Sequence, residues 1–502
     1  MSLIVDERCR LSAIEQLRAM RDGELTSVEL LEITREALEA VNAEVNAVVT
    51  TDLEAAERAA ADSDRRRAAG EPVRALEGLP VAVKDLEDTA DMRTTYGSTL
   101  HADHVPTRDT LVVERLRRAG AVIYGKTNTP EFGTGSHTYN GVFGTTANPY
   151  DPGCSAGGSS GGAAAALAAG LCSVADGSDM GGSLRNPAAF CNVVGLRPSI
   201  GRVPNWPSKN AWETLATNGP MGRTVDDVAL LLSVLSGGDA RAPLSFPDAL
   251  APQIPESAGP LRIGWSRTLG GLDIQTEITR VLDGGGRAAL RELGHAVADV
   301  EPDLAEADAA FRVLRGLGYA RAFGGLLDAH RDALSPELVA NTETGLRLTV
   351  DDFLEAREQR TRVYENMVEL FEGIDVLAAP VTAVTPFPLE QTWPREINGV
   401  AQPDYLEWMR ASWRISLTGF AAISVPCGFS RDGLPVGLQL IAPPGHEQRI
   451  LTLARQFERH RPVWREHPRV LLAEAARSEP PRPPHDTKTP HTKTPQEKEA
   501  PR

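Results

Sequence analysis

"GGSSGGAAAALAAGLCSVADGSDMGGSLRNP", residues 157–187, holds two glycine-flanked serine loops. Between them lie an alanine-rich run, 161–169, and a short β-former run, 171–178. The first has no polar residue and predicts a helix buried on every side. The second, "LCSVADGS", predicts a strand. A loop–helix–strand–loop unit of this kind brings its two loops, and with them Ser159 and Ser183, to one edge of a sheet.

Outward from that unit the pattern repeats. "LPVAVKD" (79–85), "AGAVIYGK" (119–126) and "NVVGLRP" (192–198) are strand-like, with helical stretches such as 109–119 between them. Alternation of this sort predicts an α/β fold whose sheet is buried on both faces. Near the C-terminus, "AAISVPCGFS" and "LPVGLQLIA" (421–442) form a strand pair joined by the turn signal Arg431-Asp432-Gly433. At the other end, residues 10–70 read as helical. Ser12 with Glu15 and Thr26 with Glu29 fit capping boxes opening amphipathic runs. Residues 240–375 read as mostly helical, an insertion covering one face of the sheet. After Arg477 the chain turns to proline, lysine and threonine, with "TKTP" twice, and almost nothing there can be buried. Residues 478–502 are therefore expected to be a disordered tail.

The chain has 502 residues, 41% hydrophobic and 24% charged, as in soluble globular proteins. With 52 Lys and Arg against 68 Asp and Glu, its formal charge is −16. That diffuse acidity argues against nucleic acid or an anionic membrane as partner. No stretch is long enough to span a bilayer, and "MSLIVDERCRL" is no signal peptide. Five scattered cysteines without a CxxC read as reduced thiols, so a cytoplasmic location is expected. No His/Cys spacing suggests a metal, and no cofactor is implied.

Two motifs fail on physical grounds. "GAVIYGKT" (120–127) matches the P-loop letter for letter. Yet Ala121–Tyr124 is an apolar β-former run that cannot curl around phosphates, and Pro130 follows where a helix should open. Lys126 is expected to end a strand instead. Gly157-Gly158-Ser159-Ser160-Gly161 matches the GxSxG elbow, but no apolar strand leads into it. The acid and histidine it needs have only isolated candidates such as His446 and His460.

A different constellation remains. Lys84 ends the strand-like "VAVK", and Ser183 follows Ser159 by 24 residues. A lysine at a strand end, together with two loop serines, is a recognisable set. The continuous stretch 157–187 resembles the signature of the amidase signature family. "GLPVAVKDLEDTADMRTTYGS" (78–98), "GAVIYGKTNTPEFG" (120–133), "AAFCNVVGLRPSIGRVP" (188–204) and "AAISVPCGFSRDGLPVGLQLIAPPG" (421–445) are similar to that family too. Met180, Asn186 and Asp91 depart from its commoner residues, without touching the three named positions.

The resemblance implies one large α/β domain over 1–477, with a mixed, twisted central sheet covered by helices on both faces. Within it lie the N-terminal helices (10–70), a signature core (78–235), a variable helical segment (240–400) and the C-terminal strand pair (421–442). It implies Ser183 as nucleophile, Ser159 as bridging serine after a cis Gly158–Ser159 peptide, and Lys84 as base. An oxyanion hole from the backbone amides of Met180, Gly181, Gly182 and Ser183 is implied as well. Asp179 and Arg185 bracket that loop in a supporting role. To act as a base, Lys84 must be brought by burial from ~10.4 to about 7–8.

The expected activity is hydrolysis of a small carboxylic acid amide to the acid and ammonia or amine, with no nucleic-acid or membrane partner and homodimerisation left open. The alternatives are the A subunit of a tRNA-dependent amidotransferase, and esterase or urethane cleavage by the same triad. Ser199-Ile200 and Trp206 depart from the pattern of those amidotransferase chains. Trp206, Trp212, Trp408 and Trp413 are candidates for the acyl pocket.

Overall fold

The computed structural model describes residues 3–473, so the tail expected at 478–502 lies outside the described residues. The fold is built on a mixed sheet of eleven strands. Numbered along the chain, these are β1 (Val48–Thr51), β2 (Pro80–Lys84), β3 (Val122–Thr127), β4 (Val174–Asp179), β5 (Val194–Arg197), β6 (Thr217–Gly222), β7 (Arg262–Trp265), β8 (Ala296–Asp299), β9 (Val376–Pro380), β10 (Ala421–Phe429) and β11 (Pro435–Ala442). Their spatial order is β1-β3-β2-β4-β6-β5-β10-β11-β9-β7-β8.

β2 runs parallel to both β3 and β4, whereas β6 is antiparallel to β4 and β5. Every residue of β2, β3, β6, β9 and β11 is buried. A sheet buried along whole strands must be covered on both faces, as the near-continuous apolar runs require. The all-apolar run becomes the helix Gly161–Ala168, buried at every position. Gly162 belongs there because a Cβ would lie 2.3 Å from the Asn128 backbone nitrogen, where this helix presses on the sheet. Both N-terminal capping boxes form, opening the helices Ala13–Asp22 and Ser27–Val45.

Two expectations need correction. Residues 240–375 do not merely cover the sheet, since β7 and β8 extend its edge and β9, just beyond, joins them to β11. β7 and β8 have four residues each and β8 is largely exposed, so neither leaves a period or an apolar run to read. The region read as helical over 10–70 also contributes β1, four residues between two helices.

Because β2 and β4 are parallel neighbours, their C-terminal ends share one edge of the sheet. Lys84 is the last residue of β2 and Asp179 the last of β4. Ser160, the N-cap of the helix Gly161–Ala168, meets that edge, its N–H donating to the Ser183 carbonyl at 3.2 Å.

Candidate active site

The structure brings Lys84, Ser159 and the Ser183 loop to this edge. The Lys84 ammonium nitrogen lies 2.9 Å from Ser159 Oγ, 2.9 Å from Ser160 Oγ and 3.2 Å from Ser178 Oγ. Sequence reasoning missed Ser160 and Ser178. The signal for Ser178 was its period-two relation to Asp176 on β4. Asp176 Oδ1 accepts the Lys84 backbone N–H at 3.0 Å, tying the end of β2 to β4. Exposure rises from Lys84 (1%) through Ser159 (2%) to Ser183 (9%), so the arrangement opens at Ser183. The Gly158–Ser159 peptide is cis.

Burial lowers the Lys84 amine to about 8, although Asp176, Glu87 and Asp179 pull the other way. Two of those carboxylates are themselves shifted upward: burial pushes Glu87 up to about 7 and raises Asp176. Lys126 is the penultimate residue of β3, next to its end at Thr127, and is fully buried, donating to the Glu87 carbonyl and to Thr89 Oγ1. It neutralises part of the acidity beside Lys84.

The loop after β4 is held by Asp179. Its Oδ1 accepts the Gly182 N–H at 2.8 Å and its Oδ2 the Leu184 N–H at 3.2 Å. Arg185 meets both carboxylate oxygens at 3.0 Å, and Arg197 approaches Oδ1 at 3.6 Å. Burial alone would push this carboxyl up. The Arg185 and Arg197 guanidiniums outweigh it and hold Asp179 well below the usual carboxylate range. Asp179 and Arg185 thus sit where expected, while Arg197, from β5, was missed.

This geometry corrects one expectation. The Gly182 N–H, one of the four amides expected to face an oxyanion, is instead donated to Asp179 Oδ1. Gly182 instead supplies conformation: its φ is +108°, and a Cβ would lie 2.5 Å from that of Ser412. Asn186, one of the unusual residues, links the two loops. Its amide donates to Ser136 Oγ, which donates to the Gly158 carbonyl, while its own carbonyl accepts from Ser412 Oγ. Asp91 takes φ +64°, the backbone region that favours the glycine common there.

The histidines do not join the site. His446 and His460 are engaged at the surface, with Pro444 and Glu292. Buried His137 is held by Ser155 and Leu389, and burial lowers its imidazole to about 4. Of the four candidate tryptophans, Trp413 borders the loop at Gly181. A Cβ on Gly181 would lie 3.8 Å from Trp413, Phe311 and Met409. Trp408 stacks on Phe190, Trp206 lies against Arg108 and Arg241, and Trp212 is exposed.

The sequence model of the family described as Amidase matches residues 29–451. The chain belongs to the amidase signature family. This enzyme is a hydrolase of C–N bonds. It is 36% identical to an acylamidase of Rhodococcus erythropolis over 90% of this chain and 96% of that one. It is 35% identical to the A subunit of a glutamyl-tRNA(Gln) amidotransferase from Prochlorococcus marinus strain MIT 9303, over 91% of this chain and 99% of that one. Among solved structures, it resembles a bacterial aryl acylamidase of the amidase signature family, with a TM-score of 0.86 and 28% identity over 94% of this chain and 99% of that one. The corresponding amidotransferase chain of Thermotoga maritima gives a TM-score of 0.71 at 27% identity, over 91% of this chain and 96% of that one. Among the described residues, no helix is long and apolar enough to cross a membrane.

Proposed function

We propose that this amidase acts alone on small carboxylic acid amides, through an acyl-enzyme on Ser183, with Ser159 as proton relay and Lys84 as base. The observation that carries the reading is the enclosed Lys84 amine, lowered to about 8 and 2.9 Å from Ser159 Oγ. A neutral amine there accepts the Ser159 proton as Ser159 takes that of Ser183, and Ser183 Oγ attacks the carbonyl. The Met180, Gly181 and Ser183 amides then face the developing oxyanion; losing one such donor typically costs about 3 kcal/mol. The relay runs backward to protonate the leaving nitrogen, which makes an amide cleavable, and water resolves the acyl-enzyme. Ser160 and Ser178 hold the amine in place throughout.

A second reading, the glutaminase component of a tRNA-dependent complex, is favoured by the identity to the amidotransferase relatives. The greater structural likeness to the aryl acylamidase supports the stand-alone hydrolase. The test is release of ammonia or amine from aliphatic, aryl and amino-acid amides by the purified chain. Turnover without ATP, tRNA or other proteins is expected; a strict requirement for them reverses the ranking.

A further inference from the structure

Nine arginines are buried among the described residues. Arg185, Arg197, Arg202, Arg414 and Arg455 face carboxylates. Arg10, Arg115 and Arg223 face backbone carbonyls. Arg315, 4% exposed, has neither. Its Nε donates to Asn341 Oδ1 at 3.0 Å, and its Nη2 to the hydroxyls of Tyr319 and Tyr405, each at 2.7 Å. Nη1 meets only the Met180 sulfur, at 3.2 Å. A thioether is a weak acceptor, and two hydroxyls and an amide leave the cation uncompensated. An unpaired buried charge is costly, and the protein nonetheless holds this one rigidly between two phenols.

Its position gives that cost a purpose. Arg315 lies on the helix Ala307–His330, one turn after Phe311, so the two side chains share a face. The Phe311 ring stacks on Trp413 at 4.4 Å, and both border Gly181. The free side of the guanidinium is therefore one methionine side chain away from the backbone of the oxyanion loop. Met180 is unbranched and adaptable, a cover that an arriving group can displace.

We propose that Arg315 binds a carboxylate carried by the substrate, so that this amidase prefers amides bearing an anionic group a short chain away from the scissile carbonyl. The inference rests on the amidase reading above. The carboxylate takes the Nη1 side in place of the Met180 sulfur, and the hydroxyls of Tyr319 and Tyr405 keep the guanidinium pre-oriented. Thr134, hydrogen-bonded to Tyr319, also lines a cavity of about 200 Å³ with Glu131 and Glu337. Those two carboxylates disfavour an anion there, which confines the site to the Met180 side.

The test compares kcat/KM for matched neutral and anionic amides with the full chain: butyramide against succinamate, and valeramide against glutaramate. N-acetylglycine and N-acetylpropylamine form a second arm, with the carboxylate on the leaving group. Wild type is expected to favour the anionic member of at least one pair by about tenfold or more, the scale of a charge-assisted hydrogen bond. The pair that shows it assigns the carboxylate to the acyl or the leaving side. Arg315→Met should bring the ratio to about one, and Arg315→Lys should keep part of it. Equal kcat/KM within every pair in wild type overturns the proposal, as does a preference that survives Arg315→Met. Should Arg315→Met fail to fold, the wild-type ratios and Arg315→Lys decide. Should no amide be hydrolysed, the amidase reading fails separately. Calorimetric binding of succinamate and butyramide to Ser183→Ala then decides this inference, tighter binding of the anion supporting it and equal binding overturning it.

Discussion

The Lys84 amine and the Ser159 hydroxyl lie 2.9 Å apart, with the amine sealed inside the protein and lowered to about 8. The lysine must be neutral to take a proton, so the protonated form below its pKa is inactive. The sign follows: kcat/KM should rise with pH, about tenfold per pH unit at first, and level off near 8. A pH profile on a neutral amide checks this. A limb that falls through this range would contradict a lysine base.

Ser183→Ala should abolish amide turnover and labelling by a serine-directed inhibitor, with the fold retained. Activity should drop to about a thousandth of wild type or less. Mass spectrometry of the labelled wild-type enzyme should place the adduct on Ser183; an adduct on Ser159 or Ser160 would move the nucleophile to the other loop.

Asp179→Asn removes a charge enclosed by Arg185 and Arg197, both fully buried. Leaving two buried guanidiniums without it should cost about 3–5 kcal/mol of stability, read from denaturant unfolding. Because the folded carboxyl lies below its unfolded value, its contribution is present above the unfolded pKa of ~3.9 and is lost as pH falls below it. The stability gap between wild type and Asp179→Asn should therefore narrow in acid. A gap of under about 1 kcal/mol at pH 7 would show that the loop holds itself.

Addition of ATP, tRNA or a cell extract should leave the rate of the purified enzyme on simple amides unchanged. Activation by more than about tenfold would favour the amidotransferase reading.

The parts of this fold that were legible are those whose chemistry is local. The all-apolar helix after Ser160, the strand ends carrying Lys84 and Lys126, and the N-terminal capping boxes follow from composition and spacing. The short strands β7 and β8 do not, because four residues in a mixed sheet are specified by their neighbours. The same holds at the site. Ser159 and Ser183 stood out through their glycines, whereas Arg197, Ser136 and Arg315 meet the loops only through tertiary contacts. The role of the Gly182 amide escapes the sequence for a related reason: a backbone N–H has no sequence signal, and its partner, Asp179, is fixed only once the loop turns back on its own strand.

The most direct test of the Lys84 role is the ester-to-amide activity ratio of Lys84→Ala relative to wild type, measured on an ester and an amide of the same acid. Lys84→Arg should be nearly as damaging as Lys84→Ala, because a guanidinium does not release its proton. Lys84→Ala retains Ser183 and the Met180, Gly181 and Ser183 amides, so an ester with a good leaving group should keep residual turnover that grows with hydroxide. An amide needs its nitrogen protonated and should fall much further, raising the ratio by about tenfold or more. An unchanged ratio, with both substrates losing activity in equal proportion, would contradict a lysine that moves protons and leave it as a prop for the two loops.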